Sequence, residues 1–375
     1  MLKPGGHALQ AEIDTLTLPF NRHRIAAASL SGKASALAPA SLSVREDAKR
    51  PHDPTHAAPG LLADLRPQAA GHCEPPRISS SEPGGACSGI ERRRTIRIRR
   101  SALLEARMEQ LDRPSIKIAE NLDEYSQAFS VLHDVYQASG YLQQSHPSGL
   151  HFNRHHLLPR TCVFVFKSYL KVLSTMSYIP DTPAFGLPMD ELYKAELDVL
   201  RDAGRKIVEI GSLATLRHRC GQNIMVFLSK AIFQYAHFTG ADDLCIIINP
   251  KHAQFYSSIF LFKPFGEQRY YSKVDAMAVA LRVDMHTIEA SLRQAYAASD
   301  FDTDLHNFFL KINSHTIDSN MARQQVEKDK PLDDQTFRCL LSSHPELSRD
   351  LAPRQRAILE TLYGVDLSSD KTDHH

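Results

Sequence analysis

Glu209 stands in the run KIVEIGSLAT (206–215), flanked by Val208 and Ile210. A carboxylate held in an apolar strand is partly desolvated, so its pKa rises and it becomes a base that can take a proton near neutral pH. The competing reading is a structural glutamate paired with a nearby Arg or Lys. Gly211 interrupts the same strand. An isolated strand glycine marks either a bulge, which frees backbone N–H groups from the ladder, or plain relief of crowding. N–H groups freed near Leu213 and Ala214 are candidate donors to a developing oxyanion. The stretch RHRCGQN (217–223) comes next, directly before the apolar run IMVFLSKAIFQYAHF. A helix N-terminus offers free N–H groups and the positive end of a dipole, a seat for an anion. Arg217 and Arg219 would add charge, with Gly221, Gln222 and Asn223 close to the bound group. Arginines on a solvated loop are the alternative.

These groups need elements to hold them, and the sequence supplies alternating types. SIKIA (115–119) alternates as a strand. NLDEYSQAFSVLHDVYQASG follows, with Asn121 as N-cap, acids in the first turn, Gly140 past the end, and Tyr125, Phe129, Leu132, Val135 and Tyr136 on one stripe. TCVFVF (161–166) and KVLSTMSYI (171–179) predict a hairpin turning near Ser168. Pro188, Asp190 and Glu191 open a helix that Gly204 closes. KIVEIGSLAT is a strand, and the segment 221–240 a buried helix, apolar on most sides. DLCIIINP (243–250) is an interior strand, KHAQFYSSIFLF (251–262) a helix, and GEQRYYSKVDAMAVALRVD holds the last one or two strands. IEASLRQAYAA, DTDLHNFFLKI and APRQRAILETLYG are separate helical pieces.

Three regions result. Residues 1–105 are rich in Ala, Pro, Ser and Gly and are expected to be mostly disordered, since they bury too little to offset ordering entropy. Residues 106–286 mix an antiparallel entry with βαβ-type crossovers, an α/β (α+β) domain with a mixed central sheet flanked by helices. Residues 287–375 form a helical extension.

Composition excludes several classes. The 375 residues carry 44 Lys+Arg against 43 Asp+Glu, so no global basic field argues for nucleic acid. The six arginines between Arg92 and Arg100 are a solvated arm or a docking point for an acidic surface, such as anionic lipid or an acidic carrier protein. A nucleic-acid role would rest on that cluster alone. The six cysteines are scattered without a CxxC, which fits a reducing, cytoplasmic setting. The nineteen histidines form no HExxH, and the adjacent pair His155–His156 would point its rings apart, so no metal is expected. No run reaches the ~20 apolar residues of a membrane span, and the start lacks a secretory h-region.

The order of elements, with the stretches YIPDTPAFGLPMDELYKAELDVLRDAGRKIVEI, EIGSLAT, NPKHAQFYSSIFLFKPFGEQRYY and AMAVALRVD, resembles the long-chain N-acyl amino acid synthase family. That family has a GNAT-like acyltransferase fold related to the acyl-homoserine-lactone synthases. The likeness spans about residues 115–284. It implies transfer of a fatty acyl group from acyl carrier protein or coenzyme A to an amino acid's α-amine, with no resident cofactor. Under it Glu209 is the base and Tyr256 protonates the leaving sulfur or touches the pantetheine arm. The loop from Arg217 to Asn223 takes the carrier's phosphate, only loosely matching the two-glycine pyrophosphate loop of GNAT enzymes, with Gly221 as its one glycine. Met225, Leu228 and Ile232, with Ile224, Phe227 and Tyr235, form one wall for the acyl chain; the alternative is an apolar stripe that simply packs in the core. Related synthases carry an Arg three residues after the fourth-strand Glu; Ser212 occupies that substrate-binding position here. The rival expectations are a homoserine-lactone-type signal synthase and a non-catalytic acyl- or carrier-binding module.

Overall fold

The computed structural model describes residues 114–142, 144–216, 224–299, 304–310 and 332–367, all within one compact unit of the chain. Strand β1 (Pro114–Ile118) leads into helix α1 (Leu122–Ala138), whose N-cap Asn121 accepts a hydrogen bond from the Glu124 N–H. The β-branched and aromatic runs form β2 (Cys162–Ser168) and β3 (Lys171–Pro180), paired antiparallel as the predicted hairpin. Helix α2 (Asp190–Asp202), β4 (Ile207–Thr215), helix α3 (Ile224–Thr239) and β5 (Asp243–Ile248) follow. Then come α4 (Ala253–Ile259), the short β6 (Lys263–Pro264) and β7 (Arg269–Tyr271), and the long β8 (Ala276–Asp284). The C-terminal part adds α5 (Ile288–Tyr296), α6 (Leu305–Leu310), α7 (Asp334–Ser343), α8 (Glu346–Arg349) and α9 (Pro353–Tyr363). The sequence reading missed α7 and α8.

The sheet runs β1-β2-β3-β4-β5-β8-β6, with β7 pairing the other part of β8. Every neighbouring pair is antiparallel except β4 and β5. This is the predicted mixed α/β architecture. Period-2 alternation sends side chains to two cores. Cys162, Phe164 and Phe166 of β2 join Leu244, Ile246, Tyr235 and Phe309 on the face of α3, α5 and α6. Val163 and Val165 point the other way, against Phe129 of α1, Phe337 of α7 and Ile358 of α9. Farther along that second face, Ile207, Cys245 and Ala280 pack on Tyr193 and Leu197 of α2. The C-terminal helices therefore cover the sheet rather than trail from it.

Two features shape the site. The parallel pairing of β4 with β5 lasts only three residues, from Ile207↔Asp243 to Glu209↔Cys245. Beyond that point β4 follows β3 to Thr215 and β5 follows β8 to Ile248, so the sheet opens between them. The second is a bulge. Thr175 pairs with Ala214 and Ser177 with Gly211, leaving Ser212 and Leu213 opposite the single Met176. The extra residue reverses the alternation, so Leu213 returns to the face of Ile210 while Ala214 goes to the opposite core.

Candidate active site

The gap between β4 and β5 opens into a cavity of about 1720 Å³ that reaches both faces of the sheet. Its walls in the gap are Ile210, Gly211, Ser212 and Leu213 on one side and Ile246 to Ile248 on the other. Glu209 lies at the vertex, where the pairing ends. It is 6 % exposed. One carboxylate oxygen, Oε2, accepts from the Met189 N–H at 2.8 Å. Its other oxygen has no protein partner among the described residues. Burial pushes the Glu209 pKa up to about 8, against the pull of the Met189 N–H and with help from the neighbouring Asp190 charge. The structural alternative raised by the sequence, a glutamate neutralised by Arg or Lys, is not what the described residues contain. Asp190 itself is bound by Arg201, which also holds Asp181 and Asp198.

The bulge is centred one residue later than Gly211. Ser212 takes the left-handed φ of 51°, whereas Gly211 has an ordinary backbone. A side chain is kept at this costly position because Ser212 Oγ lies 3.4 Å from His156 Nε2, which also meets Ser177 Oγ at 3.0 Å. A Cβ placed on Gly211 would come no closer than 3.8 Å, to Glu209 Oε1. The glycine thus keeps the carboxylate uncovered rather than making the turn. Leu213 lines the cavity and is one of the unpaired bulge residues. Ala214 is paired with Thr175, buried in the opposite core, and its carbonyl accepts from Ser174 Oγ; it does not line the cavity.

On the far wall Tyr256 projects from α4, with burial pushing its phenol up to about 12. Its ring packs against Phe260 and its hydroxyl lies 4.0 Å from Met225 Sδ. Met225 and Ile232 of α3 line the cavity, but Leu228, fully buried, faces the core instead. Arg217, Arg219, Gly221, Gln222 and Asn223 lie outside the described residues, as does the Arg92–Arg100 cluster.

Several lining groups escaped the sequence reading. Tyr136, read there only as one member of a helical stripe, lines the cavity, and its phenol is raised by burial and by the nearby Tyr256, Tyr141 and Glu209. Tyr271 of β7 also lines it and meets Glu191. A 3-10 helix, Arg154–Leu157, places His155 on the wall and His156 behind the bulge. Burial lowers His155 to about 4 and His156 to about 3, so both are neutral at physiological pH. Only the adjacency of the two histidines was visible beforehand, and their rings do point apart, to the Phe185 carbonyl and to Ser177.

One group among the described residues has the composition of a metal site. His146, His344 and Glu346 bring one ligand atom each within 4.8 Å of one another. The two imidazoles stack at 3.9 Å with planes 18° apart. Parallel rings do not aim both in-plane lone pairs at one point, so this arrangement is a stacked pair with a His146–Glu346 contact at 3.4 Å. Among the described residues no helix is long and apolar enough to cross a membrane.

Comparison with known proteins gives the following. A solved structure titled FeeM, an N-acyl amino acid synthase from uncultured soil microbes, is similar at 28% identity, covering 48% of this chain and 95% of that one, with a TM-score of 0.43. The AHL synthase LasI aligns at 14% identity over 46% of this chain and 91% of its own, TM-score 0.37. An N-acetyltransferase from Staphylococcus aureus Mu50 aligns at 16% identity over 46% and 98%, TM-score 0.33. No curated protein sequence matches. Residues 127–284, which hold the split sheet, Glu209 and Tyr256, match the family model described as N-acyl amino acid synthase FeeM, and by that match the chain carries an acyltransferase domain.

Proposed function

We propose that the chain transfers a long-chain fatty acyl group from a pantetheine thioester, on acyl carrier protein or coenzyme A, to the α-amine of an amino acid. The observation that carries this reading is the isolated carboxylate of Glu209 at the vertex of an opened sheet, facing a cavity of about 1720 Å³. Small-molecule pockets commonly measure about 300–1,000 Å³, so this volume suits an extended chain with its carrier arm and an acceptor. The family match over residues 127–284 supports the same reaction class.

The chemistry follows from the groups present. The acceptor arrives as an ammonium, with a pKa of about 8 or above. The uncovered Glu209 oxygen takes its proton, and burial has brought the two pKa values close enough for that transfer. The neutral nitrogen attacks the thioester carbon; a C–N bond forms, the C–S bond breaks, and the nitrogen's remaining surplus proton passes to solvent water. Charge gathers on the carbonyl oxygen, where the unpaired backbone at Ser212 and Leu213 supplies N–H donors. A thiolate leaves. Tyr256, held protonated by a pKa near 12, donates a hydrogen bond to it. The net proton comes more easily from Glu209, since a thiol titrates near about 8.5, far below this phenol. In this reading Arg217 to Asn223 hold the carrier's phosphate, Met225 and Ile232 contact the chain, and residues 106–286 are the catalytic domain, covered by the described helices α5 to α9.

The test is mass spectrometry of lipid extracts from cells expressing the chain, followed by thiol release from purified protein given acyl thioesters and amino acids. A new fatty amide names both substrates. Thioester and lipid binding with no amide and no thiol release would overturn transfer in favour of a binding module.

A further inference from the structure

Among the described residues two Lys or Arg side chains stand on the cavity wall, and they differ in one respect. Lys273 is paired with Glu191 at 2.5 Å. Arg154 has no hydrogen-bond or ion-pair partner among the described residues. The half-buried arginines of α2, of the turn that follows it and of the strands β7 and β8 all have carboxylates: Arg201 has Asp181, Asp190 and Asp198, Arg205 and Arg282 share Asp243, and Arg269 has Glu196. A guanidinium withdrawn from bulk water without an anion is poorly compensated, and its planar fork fits a carboxylate.

Arg154 is also held in place. It is the first residue of the Arg154–Leu157 3-10 helix, capped by Asn153 Oδ1 on the His155 N–H at 3.0 Å. The other three residues of that helix fix it: His155 to the Phe185 carbonyl, His156 to Ser177 and Ser212, and Leu157 through its carbonyl to the Tyr363 hydroxyl. Those three are buried, while Arg154 is half-buried on the cavity wall. The His156–Ser212 contact sets the helix beside β4, three residues along the strand from Glu209. The cavity thus carries an unpaired cation and an unpaired carboxyl oxygen on adjoining elements, the two ends of a zwitterion.

We infer that Arg154 binds the α-carboxylate of the acceptor, so that the acceptor's amine is presented to Glu209. The inference rests on the acyltransfer reading above and adds what selects an amino acid over other amines. It requires no covalent step of its own.

The test uses the full chain and a panel of L-amino acids with their carboxamides. In thiol-release assays Arg154→Ala should raise KM for the preferred amino acid about 10- to 100-fold, the usual worth of a charged hydrogen bond. The same variant should leave KM for the matching carboxamide and for the acyl thioester unchanged. Arg154→Lys should recover part of the loss, and equal thermal melting of the variants shows that folding is intact. Loss of acid and amide alike, a shift in thioester KM (which would mean that Arg154 takes the carrier phosphate), or no change would each overturn it. Calorimetric binding of the same panel separates this inference from the reaction. A wild-type chain without thiol release that still binds an amino acid more tightly than its amide, and loses that preference in Arg154→Ala, refutes acyltransfer and supports the carboxylate site. Equal binding of acid and amide by the wild type refutes the site whatever the turnover.

Discussion

Glu209→Gln separates the cost of the buried carboxyl from its use. The amide oxygen of Gln can still accept from the Met189 N–H, while the titratable charge disappears. Burial raises the Glu209 pKa from 4.5 to about 8, so the folded chain binds this proton more tightly than the unfolded one. The group's favourable contribution is complete below about pH 4.5 and drains away as pH rises through about 8. At about 1.4 kcal/mol per pKa unit, the loss is about 3 kcal/mol near pH 7 and approaches about 5 kcal/mol above pH 9. Denaturant unfolding of wild type and variant across about pH 5 to 9 should therefore give curves that diverge with pH, the variant becoming relatively more stable at the alkaline end. Over the same range amide formation by the wild type should rise toward about pH 8 as the carboxyl ionises, and Glu209→Gln should lower kcat about 10²- to 10⁴-fold. Stability curves that stay parallel across the range would show that Glu209 titrates normally, and the argument from desolvation would fall.

Four further outcomes follow from the same geometry. Gly211→Ala should fold normally, because its Cβ meets nothing closer than Glu209 Oε1 at 3.8 Å, yet slow thiol release by screening that oxygen. Ser212→Val should cost about 1–2 kcal/mol in urea melts, since a β-branched side chain resists the left-handed φ of 51° and cannot bond His156. Met225→Trp should shift the acyl profile seen by mass spectrometry toward shorter chains by filling the cavity beside Tyr256. Asp243→Ala should destabilise by about 3 kcal/mol, because the fully buried carboxylate is the shared partner of Arg205 and Arg282.

The elements of the central domain were legible because their signals are local. Alternation in SIKIA, the β-branched and aromatic run CVFVF, the Asn121 cap and the apolar surfeit of α3 each act within a few residues. The same holds for Glu209 as a desolvated acid, since its apolar neighbours in the strand already announce burial. The stripe holds for Tyr136, which packs against the core, but a helical stripe records which side of α1 turns inward, not that a cavity lies at the end of that side. Leu228 was misassigned because its neighbours in sequence do line the cavity while side-chain direction along a helix decides each residue separately.

What the sequence determined by itself was most strands and helices of the central domain, the carboxylate among apolar residues, and the affinity to acyl-transferring chains. What tertiary structure alone decided was the point where β4 and β5 part, the displacement of the bulge to Ser212, and the approach of Arg154 to the same cavity. Each of these depends on partners far apart in the chain: β4 leaves β5 because it must follow β3 while β5 follows β8, and Arg154 arrives because His156 finds Ser177 and Ser212. Local propensity carries no record of such long-range pairings, which form only when the two cores close on the sheet together.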